Sequence, residues 1–188
     1  MTSPSSNSPN NPFSGYLAFR DKTDSESARI VSIHGDQIKC APGCSSCCMN
    51  FRIFPVEFFS ILHELAGRNP VVSRIHSGEQ CVFLNDGLCS IYDSRPFICR
   101  THGLPLLSMG EDGWELSHCE LNFAAENTDF DDENSFASDR FTSELFMINK
   151  EFISSGIEGD YSEFQLIELN SIKEYLDNDN REKGGSKE

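Results

Sequence analysis

Four cysteines fall within nine residues, in the string CAPGCSSCC from Cys40 to Cys48. Such a segment has little apolar surface to bury, and its thiols are reactive. Its fold is therefore tied to what the thiols bind. A metal needs deprotonated ligands that converge from several directions, and short spacers holding Gly and Pro let one loop wrap an ion. Pro42 and Gly43 supply the bend, Gly43 because it tolerates positive φ. The adjacent pair Cys47-Cys48 narrows the geometry. Neighbouring side chains diverge by about 180° in a strand or about 100° in a helix, so both seldom bind one tetrahedral ion. Either one is spare, or the pair faces two metals or a multinuclear cluster.

Cys81, Cys89, Cys99 and Cys119 complete a set of eight thiols in 188 residues. That lies below the roughly 8–10 % cysteine that marks a small disulfide scaffold. The N-terminus has no basic stretch followed by an apolar one, so it does not read as a secretory signal. The expected setting is a reducing, cytoplasmic one, where clustered thiols bind metal or do redox work rather than form structural disulfides. A lone cysteine is often just a small buried apolar residue, but four in nine residues plus four more are not explained that way. Eight thiols allow two four-cysteine sites, or one cluster with spare redox thiols, and spacing does not choose between them.

CAPGCSSCC, followed by Cys81, then Cys89-Ser-Ile-Tyr92, Arg95-Pro96, Cys99-Arg100 and the later Cys119, resembles the YkgJ-like, or CxxCxxCC, cysteine-cluster family. The resemblance runs from about Cys40 to Cys119. The first spacer here, Ala41 to Gly43, is three residues rather than the two of the family name. The resemblance implies chelation of zinc or iron by Cys40, Cys44, Cys47, Cys48, Cys81, Cys89, Cys99 and Cys119. It implies no reaction. The Cys47-Cys48 pair and the lack of a clean CxxC…CxxC zinc ribbon lean towards iron, in the form of an iron–sulfur cluster, over zinc.

Arg95 and Arg100 bracket Cys99. A zinc ion held by four thiolates carries about −2 by simple counting, and arginine offsets such charge and donates N–H to sulfur. The alternative is that each pairs with an acid. His102 and His118 lie beside the cysteine series as candidates for a mixed site, whereas His34, His63 and His76 read as ordinary surface or helix residues. His63-Glu64 is no zincin signature, because the second His is missing. The string ENTDFDDEN (126–134) lacks the central Gly and closing Glu of a calcium loop and reads as a solvated acidic loop.

Charge divides the chain. Of 30 acidic and 15 basic residues, nine of each lie in 1–110, while 111–180 hold nineteen acids and three bases. A net −15 disfavours nucleic acid and anionic membrane surfaces as partners, since both need clustered Lys and Arg. It admits a basic protein partner. No run of 18 apolar residues is present to form a transmembrane helix.

The expected fold is mainly α with a small β-hairpin: a cysteine-rich metal-centred module followed by an acidic helical region. Residues 1–15, rich in Ser, Asn and Pro, read as a disordered lead; 16–122 as the metal module; 123–176 as acidic helices packed on it; 177–188 as a disordered tail. Helices are expected at 16–34, at 55–66 (with Pro55 in the first turn and Gly67 as the stop), at 136–154 and at 163–176, the last from a Ser162–Gln165 capping box. Residues 81–92 read as a hairpin turning at Asn85-Asp86-Gly87, and Ser94 as the cap of a helical turn over 95–99. The functional expectation is metal binding with a structural or redox role. The alternatives are a metal-dependent or thiol-redox enzyme, and a metal-delivery protein docking through its acidic helices.

Overall fold

A computed structural model describes residues 11–66, 68, 70–73, 78–124, 128–156 and 158–176. The expected tail, most of the expected lead, His76 and the Gly67 stop lie outside the described residues. Helix α1 spans Ser14–His34 and buries Tyr16, Phe19, Thr23, Ile30 and His34. Those positions recur at helical spacing, but two are polar, which is why the apolar pattern looks weak in sequence. Phe13, inside the stretch expected as a lead, is only 3 % exposed and packs on Phe152.

Helix α2, Pro55–Leu65, buries nearly every side chain. Pro55 opens it, and the Glu57 carboxylate reaches back to accept the Phe54 backbone N–H at 3.1 Å, the N3 half of a capping box. Just before α2, strand β1 (Arg52–Ile53) pairs with a strand late in the chain. A two-residue hairpin follows, β2 (Leu84–Asn85) and β3 (Leu88–Cys89). Asp86 and Gly87 turn it with φ of 48° and 78°, the left-handed pair of a type I′ turn.

Ser94 does not cap the next helix. Its hydroxyl donates to Glu64 at 2.6 Å, and helix α3, Phe97–Thr101, starts after Pro96 instead. Strands β4 (Leu106–Gly110) and β5 (Gly113–Ser117) form an antiparallel hairpin that the sequence reading missed, and β6 (Phe136–Ala137) adds to β4 in parallel. Helix α4, Ser138–Ser154, buries Phe141, Leu145, Asn149 and Phe152 and packs on α2, α1 and β4.

The expected helix over 163–176 is corrected. Gln165 does accept the Ser162 backbone N–H at 3.3 Å, but the chain then extends as β7 (Ile167–Glu168), paired with β1. Helix resumes only as a 3₁₀ turn at Leu169–Ser171 followed by an α-helical turn over 172–176. Tertiary pairing, sealed by buried Leu169 and Ile172, overrides the local cap. The described residues are thus helix-rich with three small sheets. Among the described residues no helix is long and apolar enough to cross a membrane.

Candidate metal centre

The cysteine loop has no regular structure of its own; backbone turns set its thiols. Cys44 N–H bonds Ala41 C=O and Cys48 N–H bonds Ser45 C=O, each at 3.0 Å. Gly43, with φ of 96°, packs its backbone against Gly87 at the tip of the β2–β3 hairpin. Two other segments fasten the loop from opposite sides.

On one side, the Cys81 N–H donates to Cys48 C=O at 3.2 Å, and Met49 bridges Gln80. The short hairpin then places Cys89 opposite Leu84, and α3 supplies Cys99 from its middle. Burial pushes the Cys99 thiol far above the usual range, and the thiols of Cys81, Cys89 and Cys48 add to the effect in that order. Burial likewise holds Cys48 up at about 11, with Cys47, Cys81, Cys89 and Cys44 acting the same way. Cys81 and Cys89 are raised too, again chiefly by burial.

On the other side, Asn122 is 1 % exposed and ties three segments together. Its side-chain amide donates to Gly103 C=O at 2.6 Å and to Cys40 Sγ at 3.5 Å, while its Oδ1 accepts the Lys39 N–H at 2.8 Å. Gly103 has φ of 96°, and a Cβ there would stand 2.9 Å from Cys40 Sγ and 3.6 Å from the Cys119 Cβ. Cys40 and Cys119 therefore flank one glycine. Burial raises the Cys47 thiol, and the neighbours that add to it are Cys40, Cys44 and Cys119.

The two halves of the Cys47-Cys48 pair have overlapping but unequal surroundings. Cys40, Cys44 and Cys119 act on Cys47, while Cys47, Cys81, Cys89 and Cys44 act on Cys48, which in turn acts on Cys99. All eight are free thiols; Cys40 and Cys44 are exposed and Cys81 is buried. Among the described residues, no three Cys, His, Asp or Glu side chains already close tightly enough to hold an ion. The donor chemistry nevertheless fits one: soft thiolates select zinc and iron–sulfur clusters, and binding expels the protons that burial retains.

The two arginines have different surroundings. Arg95 lies over the Tyr92 ring at 3.7 Å, and its charge bears on Cys89, favouring the thiolate. Arg100 is buried and spends its guanidinium on both Asp24 oxygens and on the Arg95 and Asp93 carbonyls, tying α3 to α1. His102 is half-buried, with its ring 5.8 Å from that of Phe51, and burial lowers its pKa. His118 is exposed and packs on Phe123 and Phe130.

His34 is a helix residue, the last of α1, but not a surface one. It is 7 % exposed and donates from Nε2 to Asn134 C=O at 2.7 Å. Asn122 and Gly103 were missed in sequence, where neither carries a ligand signature; only their nearness in the chain to Cys119 and Cys99 hinted at a role. The two open surface concavities, one at Arg29, Ile33, Asp131, Glu133 and Asn134 and one between Leu65 and Ser94, contain no cysteine.

No curated protein and no solved structure matches the chain. The cysteine-bearing stretch, residues 39–120, matches the CxxCxxCC family model, described as a "Putative zinc- or iron-chelating domain".

Proposed function

We propose that the chain holds two thiolate metal centres of zinc or iron. One is formed by Cys40, Cys44, Cys47 and Cys119, the other by Cys48, Cys81, Cys89 and Cys99. The observation that carries this reading is geometric: Cys40 and Cys119 flank Gly103, whereas Cys48 is tied through its backbone to Cys81. Adjacent side chains that diverge cannot readily share one tetrahedral ion, and two centres use both.

Zinc would close loops that lack a core of their own; an iron–sulfur cluster would add electron transfer or redox sensing. In either case the chain's residues do the positioning. Asn122 donates N–H to Cys40 sulfur, Gly103 leaves room for two cysteines, and Arg95 offsets charge beside Cys89. Residues 16–122 then form the metal module, with 123–176 packed on it through α4 and β7. A reducing, cytoplasmic setting suits eight free thiols.

Metal content and colour after strictly anaerobic purification of the full chain test this. Wild-type protein should carry two centres. Cys44→Ser or Cys119→Ser should remove one of them, Cys89→Ser should remove the other, and His63→Ala should keep both. Loss of all metal by every cysteine variant alike would mean a single centre. Wild-type protein with no stoichiometric metal would overturn chelation altogether.

A further inference from the structure

The β4–β5 hairpin wears its apolar face outward. Met109 and Trp114 stand directly opposite each other, as do Leu107 and Leu116, so all four side chains share one face of the ribbon. Met109 is 56 % exposed, Trp114 66 % and Leu116 36 %. On an ordinary half-buried ribbon the solvent face is polar. Here the inward residue Leu106 packs on the core, and the solvent face is apolar as well. A contiguous exposed apolar patch on a strand is the mark of an interaction site.

Strand β5 is also an edge. The sheet runs β5-β4-β6, and no other strand among the described residues pairs with β5. Its far side is thus a template for one more strand. The charges in the hairpin and just beyond it along the chain are all acidic. Glu111 and Asp112 form the turn, Glu115 is exposed on the other face of β5, and Glu120 follows shortly after it. From residue 101 to 139 the chain has no Lys or Arg.

We infer that β5 accepts an extended segment of another protein, in which Lys or Arg alternates with aliphatic residues, as an added strand. The alternation follows from the pleat. One set of side chains falls beside Trp114 and Leu116 and must be apolar; the other falls on the Glu115 face and must be basic. A second copy of this chain is a poor occupant, because its own β5 stretch brings another run of acids to a stretch, residues 101–139, that holds no Lys or Arg. Strand addition here leads directly to Cys119, two residues beyond the end of β5. The inference stands on the hairpin alone and does not depend on which metal the thiols hold.

Trp114 is the only tryptophan in the chain, so its fluorescence reports this face without a label. The full-length protein is titrated with a strand-length peptide of alternating Lys and Val. The expected result is a saturable blue shift of Trp114 emission at one peptide per chain. A Glu-Val peptide, and a Lys-Val peptide N-methylated on alternate residues, should give none. Met109→Ser combined with Leu116→Ser should weaken binding by more than about ten-fold, since two apolar contacts are lost.

A blue shift that survives N-methylation overturns strand addition. Binding without a shift, or with equal affinity in the double variant, means simple attraction to an acidic surface and overturns the proposal. A shift that grows with protein concentration in the absence of peptide, together with a dimer in sedimentation, means the occupant is a second copy. If the double variant does not fold, the N-methylated peptide decides on wild-type protein.

Discussion

Among single residues, Asn122 and Gly103 shape the surroundings of Cys40 more than any charged group does. A hydrogen bond from an amide to sulfur stabilises the thiolate and fixes its direction, as partners of metal ligands generally do. Asn122 also satisfies the Lys39 N–H and the Gly103 carbonyl. Asn122→Ala should therefore lower metal affinity at the Cys40 centre by about 10–100-fold and leave the Cys48 centre alone. Gly103→Ala should act on the same centre for a different reason, because its Cβ would stand 2.9 Å from Cys40 Sγ at a φ of 96°. Competition with a chromophoric chelator, read centre by centre, checks both. Equal weakening of the two centres would show that these residues only hold up the fold. Neither role is visible in sequence, because an Asn and a Gly become informative only once folding brings residues 40, 103, 119 and 122 together.

At the level of elements, legibility followed the range of the interactions. Helices α2 and α4 were readable because their apolar periodicity and the Pro55 start are local, whereas the local Ser162–Gln165 pair opened no helix. The β2–β3 hairpin was readable from Asp86-Gly87. The β1–β7 pairing and the parallel β4–β6 pairing join segments far apart in the chain, and no local pattern announces them. The β4–β5 hairpin carries a short alternation, Leu107-Ser108-Met109 and Trp114-Glu115-Leu116, but it is inverted: the apolar set faces solvent, so the pattern points to no core face.

Between elements, Glu57 is the joint of α2 with α3. It is 3 % exposed, and its two oxygens accept the Phe54 and Phe97 backbone N–H groups at 3.1 and 2.9 Å. Burial raises its pKa to about 7, although those bonds and Arg100 act the other way. The folded state then holds this proton more tightly than the unfolded chain. Its contribution to stability is greatest below the unfolded carboxylate range and falls as pH rises towards 7, by up to about 3 kcal/mol. Glu57→Gln should remove that slope, at the cost of one unpaired N–H. Denaturant melts of both proteins at pH 5 and pH 8 test it. Parallel slopes in the two would show that Glu57 does not titrate in this range.

For the whole molecule, the question is whether metal holds the fold or only part of it. The apolar core is assembled by α1, α2, α4 and the segment after β7: Tyr16, Phe19, Phe58, Ile61, Phe141, Leu145, Leu169 and Ile172 are all buried. None of these lies in the cysteine loop, whose Cys40 and Cys44 are exposed. A zinc finger unfolds without its ion because the ion substitutes for a core; this chain has a core of its own. The two proposed centres differ in the same sense. Cys81 is buried next to Val82 and Phe83, so the proposed Cys48 centre would be anchored in the core, while the proposed Cys40 centre would hang from Asn122 and a loop. Chelation should accordingly proceed in two steps. The Cys40 centre should empty first, with faster amide exchange confined to residues 39–47 and 119–123. The Cys48 centre should follow more slowly, and the far-UV helical signal should persist through both steps. Hydrogen exchange followed by mass spectrometry resolves the order. Simultaneous loss of both centres together with the helices would mean that the metal, and not the phenylalanine-rich core, is what keeps this chain folded.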